Sequence, residues 1–209
     1  MVQMAAGGID VGHIQMSDNP DNNLDAKAIE LWEPSHSQKK MFIDAYFEHY
    51  HPQYPMIHQP SFRAQWDQVL TRPPRVQWEM LTNVILGLGA FCASQPMYMI
   101  DYFLERATNV ISVEHLETGS LTLVQAFTLL SNLAQKRDKI NSGSIYLGIA
   151  VRMAIGLGLH RELPLWKISL FEREVRRRVW WVVFIFDSGA SITFGRPIVS
   201  ASYYSSINV

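Results

Sequence analysis

One cysteine, Cys92, is present in 209 residues. It cannot close an intramolecular disulfide or supply a cysteine cluster for a metal, and in its apolar stretch a free thiol behaves as a small hydrophobe. Charge of one sign is also lacking: 18 Lys and Arg face 19 Asp and Glu, for a net charge of -1. No overall basic field draws this chain to a phosphate backbone. The longest strongly apolar run, Val179 to Phe186, lies between Arg176-Arg177-Arg178 and Asp187. It falls well short of the roughly 20 residues a bilayer span needs and reads as buried helix. The first residues have neither the charged start nor the apolar centre of a secretory leader, and their first charge is Asp10. Sustained apolar alternation is missing too, which removes the usual signal for a sheet.

What is there is a globular composition, 48% apolar and 18% charged. Residues 1–34 mix Gly, Asp and Asn, as in SDNPDNNLD, with few large apolar side chains, and are expected to be a flexible lead or linker. From Ser35 the texture changes. Ser35 and Gln38 have capping-box spacing, and Met41, Phe42, Ala45, Tyr46 and His49 recur at helical spacing, predicting a helix to about Tyr50. Pro52, Pro55 and Pro60 then impose an extended connection, after which Ser61 is expected to cap a short helix through Phe62, Trp66 and Leu70. Longer helices are predicted over 77–93, 97–113, 121–136, 144–157 and 169–194. Breaks are expected at Gln95-Pro96, Thr118-Gly119, Asn141-Ser142-Gly143 and Glu162-Leu163-Pro164. The fold class is therefore all-α, an irregular domain of about seven helices with no sheet.

The last two helices carry most of the information. Tyr146, Ile149, Ala150, Met153, Ala154 and Leu157 form an apolar stripe, while Gly148, Arg152 and Gly156 share another face, where a neighbouring helix is expected to approach closely around the guanidinium. Ser169 and Glu172 again have capping-box spacing, and a stripe from Phe171 through Val175, Val179, Val182 and Phe186 continues down a long helix. In the cluster 172–178, Glu172 with Arg176 and Glu174 with Arg178 are i,i+4 pairs, so an internally salt-bridged face is favoured over a nucleic-acid patch. Asp187 closes the apolar run, and a lone buried carboxylate is costly; it is expected to pair with Arg152 or Arg196. Trp180 and Trp181 point about 100° apart on a helix, so they cannot both face one neighbour. Core packing is the default for both, with the alternative that one of them lines an apolar cavity with Phe184, His160 and Arg161 at its mouth.

Other motifs point to no chemistry. His49, His51 and His58 lack the Cys or carboxylate that would complete a tetrahedral metal set. Gly87-Leu88-Gly89 and Gly156-Leu157-Gly158 lack the third glycine of a phosphate loop and follow no strand, so they read as packing or helix-ending glycines. Cys92, Ser188 and Ser191 have no evident base and orienting partner. No catalytic, cofactor-binding or metal residue is assigned.

YLGIAVRMAIGLGLHRE at 146–162, EREVRRRVWWVVFIFD at 172–187 and FGRPI at 194–198, with YFEHYHPQYPMIHQPSF at 46–62 upstream, together resemble the fungal-specific transcription factor domain. That is the middle homology region behind the binuclear zinc-cluster DNA-binding module of fungal regulators of the galactose-regulator type. The resemblance implies an all-helical, effector-responsive or inhibitory domain in a nuclear regulator of nutrient or secondary metabolism genes. It implies a co-regulator protein or small-molecule effector as partner, no membrane, no enzyme activity, and DNA contact only through a zinc-cluster module. This sequence departs from the family architecture in having one cysteine where that module has six, in lacking a heptad coiled coil, and in stopping soon after GRPI. Residues 35–209 are thus expected to be a partial regulatory domain truncated on its C-terminal side, with apolar surface around Phe184 and Ile185 left uncovered. Zinc is expected only in the absent DNA-binding segment. The rival readings are a truncated helical interaction scaffold that does not bind DNA, and a helical enzyme.

Overall fold

A computed structural model describes residues 32–112, 116–117, 119–163, 168–195 and 197–200. The expected flexible lead falls almost wholly outside the described residues, as do Arg196 and the segment 201–209. Among the described residues there are seven α-helices and no strand: α1 (His36–Ala45), α2 (Gln59–Trp66), α3 (Arg75–Cys92), α4 (Met97–Asn109), α5 (Leu121–Lys136), α6 (Ile140–Gly156) and α7 (Leu170–Phe194). All belong to a unit that begins at Ser35.

Local signals start and stop these helices. The Ser35 hydroxyl accepts from the Gln38 N–H while the Gln38 side chain accepts from the Ser35 N–H, so both halves of the capping box form. Ser169 and Glu172 do the same at the start of α7. Gly195, at φ 63°, ends α7 in the left-handed conformation that glycine adopts without steric cost. α1 continues into one π-helical turn, Tyr46–Tyr50, in which the His51 N–H reaches back to the Tyr46 carbonyl at 2.9 Å.

α3 and α5 form the centre. Val84, Ile85, Leu88 and Ala90 of α3, with Val124, Ala126, Leu129, Leu130, Leu133 and Ala134 of α5, are wholly buried. Each Leu or Ile so buried stabilises by roughly 1.5–3 kcal/mol relative to exposure. α1 and α4 pack on α3, α6 packs along α5, and α7 lies against α5 and α6. α4 presents Met99, Ile100, Phe103, Leu104 and Ala107, a one-sided stripe at helical spacing. Its far side is tied to α5 by Arg137, whose Nε and Nη2 donate to the two oxygens of Asp101 at 2.7 Å each.

Three expectations about element bounds need correction. The short helix α2 is capped by His58 and not Ser61: the His58 Nδ1 accepts the Ser61 N–H and lies 2.7 Å from the Ser61 hydroxyl. Pro60 then sits inside the first turn, where its missing N–H costs nothing. α4 stops at Asn109, earlier than predicted. Asn141-Ser142-Gly143 is no break, since α6 already starts at Ile140. Gly143 is needed inside the helix because a Cβ there would lie 2.8 Å from the Ser131 carbonyl oxygen on α5.

Candidate functional site

Six of the seven residues singled out from the sequence are described and separate into four places; the seventh, Arg196, lies outside the described residues. Trp180, 1% exposed, and His160, 5% exposed, are core residues with ring centroids 5.8 Å apart, and the Arg161 Nε donates to the His160 Nε2 at 3.1 Å. The Trp180 indole N–H is buried without a hydrogen-bond partner among the described residues. Trp181 is half-buried and packs edge-on against Phe184, 6.0 Å between centroids. The two tryptophans therefore face different neighbours, as side-by-side helical residues must.

Asp187 is buried, as its place at the end of the apolar run predicts, but its partner is not Arg152. Its Oδ2 accepts the Val199 N–H at 2.9 Å, the Ser200 N–H at 2.7 Å and the Ser200 hydroxyl at 2.7 Å. Charge-assisted bonds from backbone donors compensate a desolvated carboxylate as an arginine would, and they fold segment 197–200 back onto α7. Arg152 is exposed and makes no ion pair with Asp187. It lies in an open groove of about 930 Å³ that also contains Ile145, Gly148, Met153 and Gly156. Among the described residues a Cβ at Gly148 or Gly156 would meet nothing within 4 Å, and none of them makes the close helix contact expected on that face.

The charged cluster at the start of α7 is a fastening between α7 and the end of α6. Glu162 accepts from the Arg173 Nε at 2.7 Å and the Arg177 Nε at 2.8 Å. Glu174 accepts from the Arg177 Nη1 at 3.0 Å and the Arg178 Nε at 2.7 Å. The expected Glu174–Arg178 pair forms; the Glu172–Arg176 pair does not. Glu172 caps its own helix, and the Arg176 Nη2 donates to the Leu157 carbonyl where α6 ends, at 2.8 Å. The Arg177 hydrogen bond, with that of Arg173 behind it, outweighs the opposing effect of burial and holds the Glu162 carboxyl below the usual carboxylate range; for Glu174 the Arg178 hydrogen bond leads.

A second feature was not read from the sequence. A cavity of about 310 Å³ lies in the seam between segment 51–60 and the first turns of α7. Met56 and Ile57, both buried, with Val175 and Phe171, supply apolar wall, and His51, His58, Glu174 and Arg178 supply polar groups. The seam is held from behind: the Gln125 Nε2 of α5 donates to the Met56 carbonyl at 2.7 Å, and Tyr54 packs edge-on against Phe186 of α7, 4.7 Å between centroids. The π-helical turn ends at His51 and so delivers it here. Burial, and after it the Arg178 charge, lower the His51 pKa, leaving the imidazole neutral at neutral pH. His49, by contrast, is exposed and His58 caps α2, so the three histidines sit in different surroundings. The Pro-rich connection and the Phe171–Val175–Val179 stripe were visible separately, but nothing in the sequence says that they meet.

Comparison with known proteins adds a family. A family model described as fungal specific transcription factor domain matches residues 43–209. The chain is 35% identical over 157 residues to the lactose regulatory protein LAC9 of Kluyveromyces lactis, covering 75% of this chain and 18% of that protein. It is 31% identical over 177 residues to the acetamidase regulatory protein of Emericella nidulans, covering 81% of this chain and 21% of that protein. With the cutinase transcription factor 1 alpha of Fusarium vanettenii the identity is 24% over 165 residues, covering 75% and 18%. The chain thus spans about a fifth of the length of these curated relatives. No solved structure matches it.

Proposed function

The chain belongs to the fungal specific transcription factor domain family, and from that premise we propose that it is the control region of a nuclear zinc-cluster regulator of nutrient-use genes. The family and the relatives are transcription regulators, not enzymes. Relatives named for lactose, acetamidase and cutinase regulation support genes of nutrient use as the targets. In this reading DNA is gripped by a cysteine-rich zinc-cluster segment that these 209 residues, with their one cysteine, do not include. The helical unit acts by binding an effector or co-regulator more tightly in one packing of α7 than in another, the only way a ligand shifts such an equilibrium.

The observation that carries this reading is the family match across 43–209, which takes in the end of α1 and all of α2 to α7. Its physical complement is that Arg173, Arg176 and Arg177 are engaged with the segment that ends α6, so most of the basic stretch acts as a fastening, while Arg178 gives only its Nε to Glu174. The test places the whole chain between a heterologous DNA-binding module and an activation segment in a fungal reporter strain. Reporter output several-fold different from that of an inert helical spacer, and responsive to a change of carbon or nitrogen source, is expected. Output equal to the spacer's under every growth condition overturns the reading. A fluorescent fusion of the full-length gene product checks nuclear residence in the same strain.

A further inference from the structure

The seam cavity has the features of a small-ligand site with a chosen charge. At about 310 Å³ it stands at the lower end of the range that ligand sites occupy. Its floor, Met56 and Ile57, is fixed by the Gln125 hydrogen bond to the Met56 carbonyl, so the walls are in place before any ligand arrives. One polar group is left over, since the His51 Nδ1 is out of solvent contact although His51 lines the cavity. Arg178 uses only its Nε, toward Glu174, and its two Nη groups donate no hydrogen bond among the described residues.

The sign of the charge follows from the fastening network. Arg173, Arg177 and Arg178 are linked through Glu162 and Glu174, three positive charges to two negative, and the surplus is one. Arg178 is the terminal member, the one whose donors remain available at the cavity. A monoanion balances that surplus. A phosphate group, with close to two negative charges, would add one in excess beside the Glu174 carboxylate.

We propose that the seam between segment 51–60 and α7 binds a small carboxylic acid, its carboxylate accepting from the Arg178 Nη groups, its apolar body seated on Met56, Ile57 and Val175. The inference rests on the regulatory reading for its consequence, which is that an occupied seam ties segment 51–60 to α7 and biases how that helix is held. Binding itself does not require that reading.

The test uses the purified full chain with methyl-labelled methionine, isoleucine and valine, titrated in turn with isovalerate, phenylacetate and phenylbutyrate, and with phenylbutyramide as the uncharged match. At least one acid is expected to shift the Met56, Ile57 and Val175 methyl resonances saturably, with the amide roughly tenfold weaker. R178Q, at an exposed position that leaves the core untouched, is expected to weaken the acid roughly tenfold and leave the amide unchanged. V175F, which fills the cavity, is expected to abolish both; should it misfold, R178Q still decides. The proposal is overturned if no acid gives a saturable shift up to about 10 mM, if acid and amide bind alike, or if the shifts appear at Ile145 and Met153 in the α6 groove instead. The reporter fusion reads regulation independently: a negative titration with an intact reporter response removes the carboxylic-acid site alone, and a positive titration with an inert reporter removes the regulatory reading alone.

Discussion

Helix α6 carries glycine toward its neighbour and toward solvent, and the two faces follow opposite rules. At Gly143 the backbones of α5 and α6 nearly touch, and a Cβ would come within 2.8 Å of the Ser131 carbonyl and 2.9 Å of the Gln135 Cγ. At Gly148 and Gly156, on the face with Arg152, the same missing side chain leaves empty space. α3 repeats the first case more severely: a Cβ on Gly89 would collide with the Phe42 carbonyl oxygen of α1. A glycine in a helix is thus either a contact that no other residue permits or a loss of helix propensity with no return, and only tertiary neighbours decide which. The same residue type at similar spacing predicts stability changes of opposite sign.

Substitutions to alanine sharpen that contrast. Gly89→Ala should have the largest effect, a loss of about 3 kcal/mol in denaturant unfolding, because the obstacle is backbone and α1 must move off α3 as a body. A loss under about 0.5 kcal/mol would mean that α1 yields easily and that the close approach is not structural. Gly143→Ala should cost less, about 1–2 kcal/mol, since the Gln135 side chain can swing aside while the Ser131 carbonyl cannot, and alanine returns part of the loss in helix propensity. Gly148→Ala should go the other way, stabilising by about 1 kcal/mol with nothing to strike. Destabilisation there would show that something covers the α6 groove in solution.

The local part of this fold is written plainly in the sequence. Ser35 with Gln38 and Ser169 with Glu172 are reciprocal contacts within one turn, and both form as their spacing requires. Pro74, Pro96 and Gly195 likewise stand at the helix ends. What went unread is tertiary. Asn141-Ser142-Gly143 has the composition of a break, yet the glycine is there for Ser131 on another helix. Asp187 needed a donor, and in place of Arg152 the fold supplied the backbone N–H groups of Val199 and Ser200. Backbone donors carry no sequence signal. The seam cavity was illegible for the same reason, since His51, Met56, Val175 and Arg178 are joined only by the packing of α7 on segment 51–60.

The polar fastening at the start of α7 provides the mildest and most conditional test of how the outer helix is held, against the backbone-tight inner packing. The Glu162 carboxylate, with its side chain about a third exposed, takes both Arg173 and Arg177, and solvent screens much of the attraction. E162Q should therefore cost only about 0.5 kcal/mol at pH 7. Because the folded-state pKa of Glu162 is depressed below its ordinary 4.5, its contribution is complete above that value and is lost as pH falls through the lower folded pKa. The stability gap between wild type and E162Q, followed by denaturant unfolding, should accordingly narrow as pH falls below 4.5 and shrink in high salt. G89A should behave differently: its deficit arises from displaced backbone and should persist unchanged across the same pH and salt range. A gap at E162Q that ignores both acid and salt would mean that Glu162 acts through shape and that α7 is fastened by packing alone.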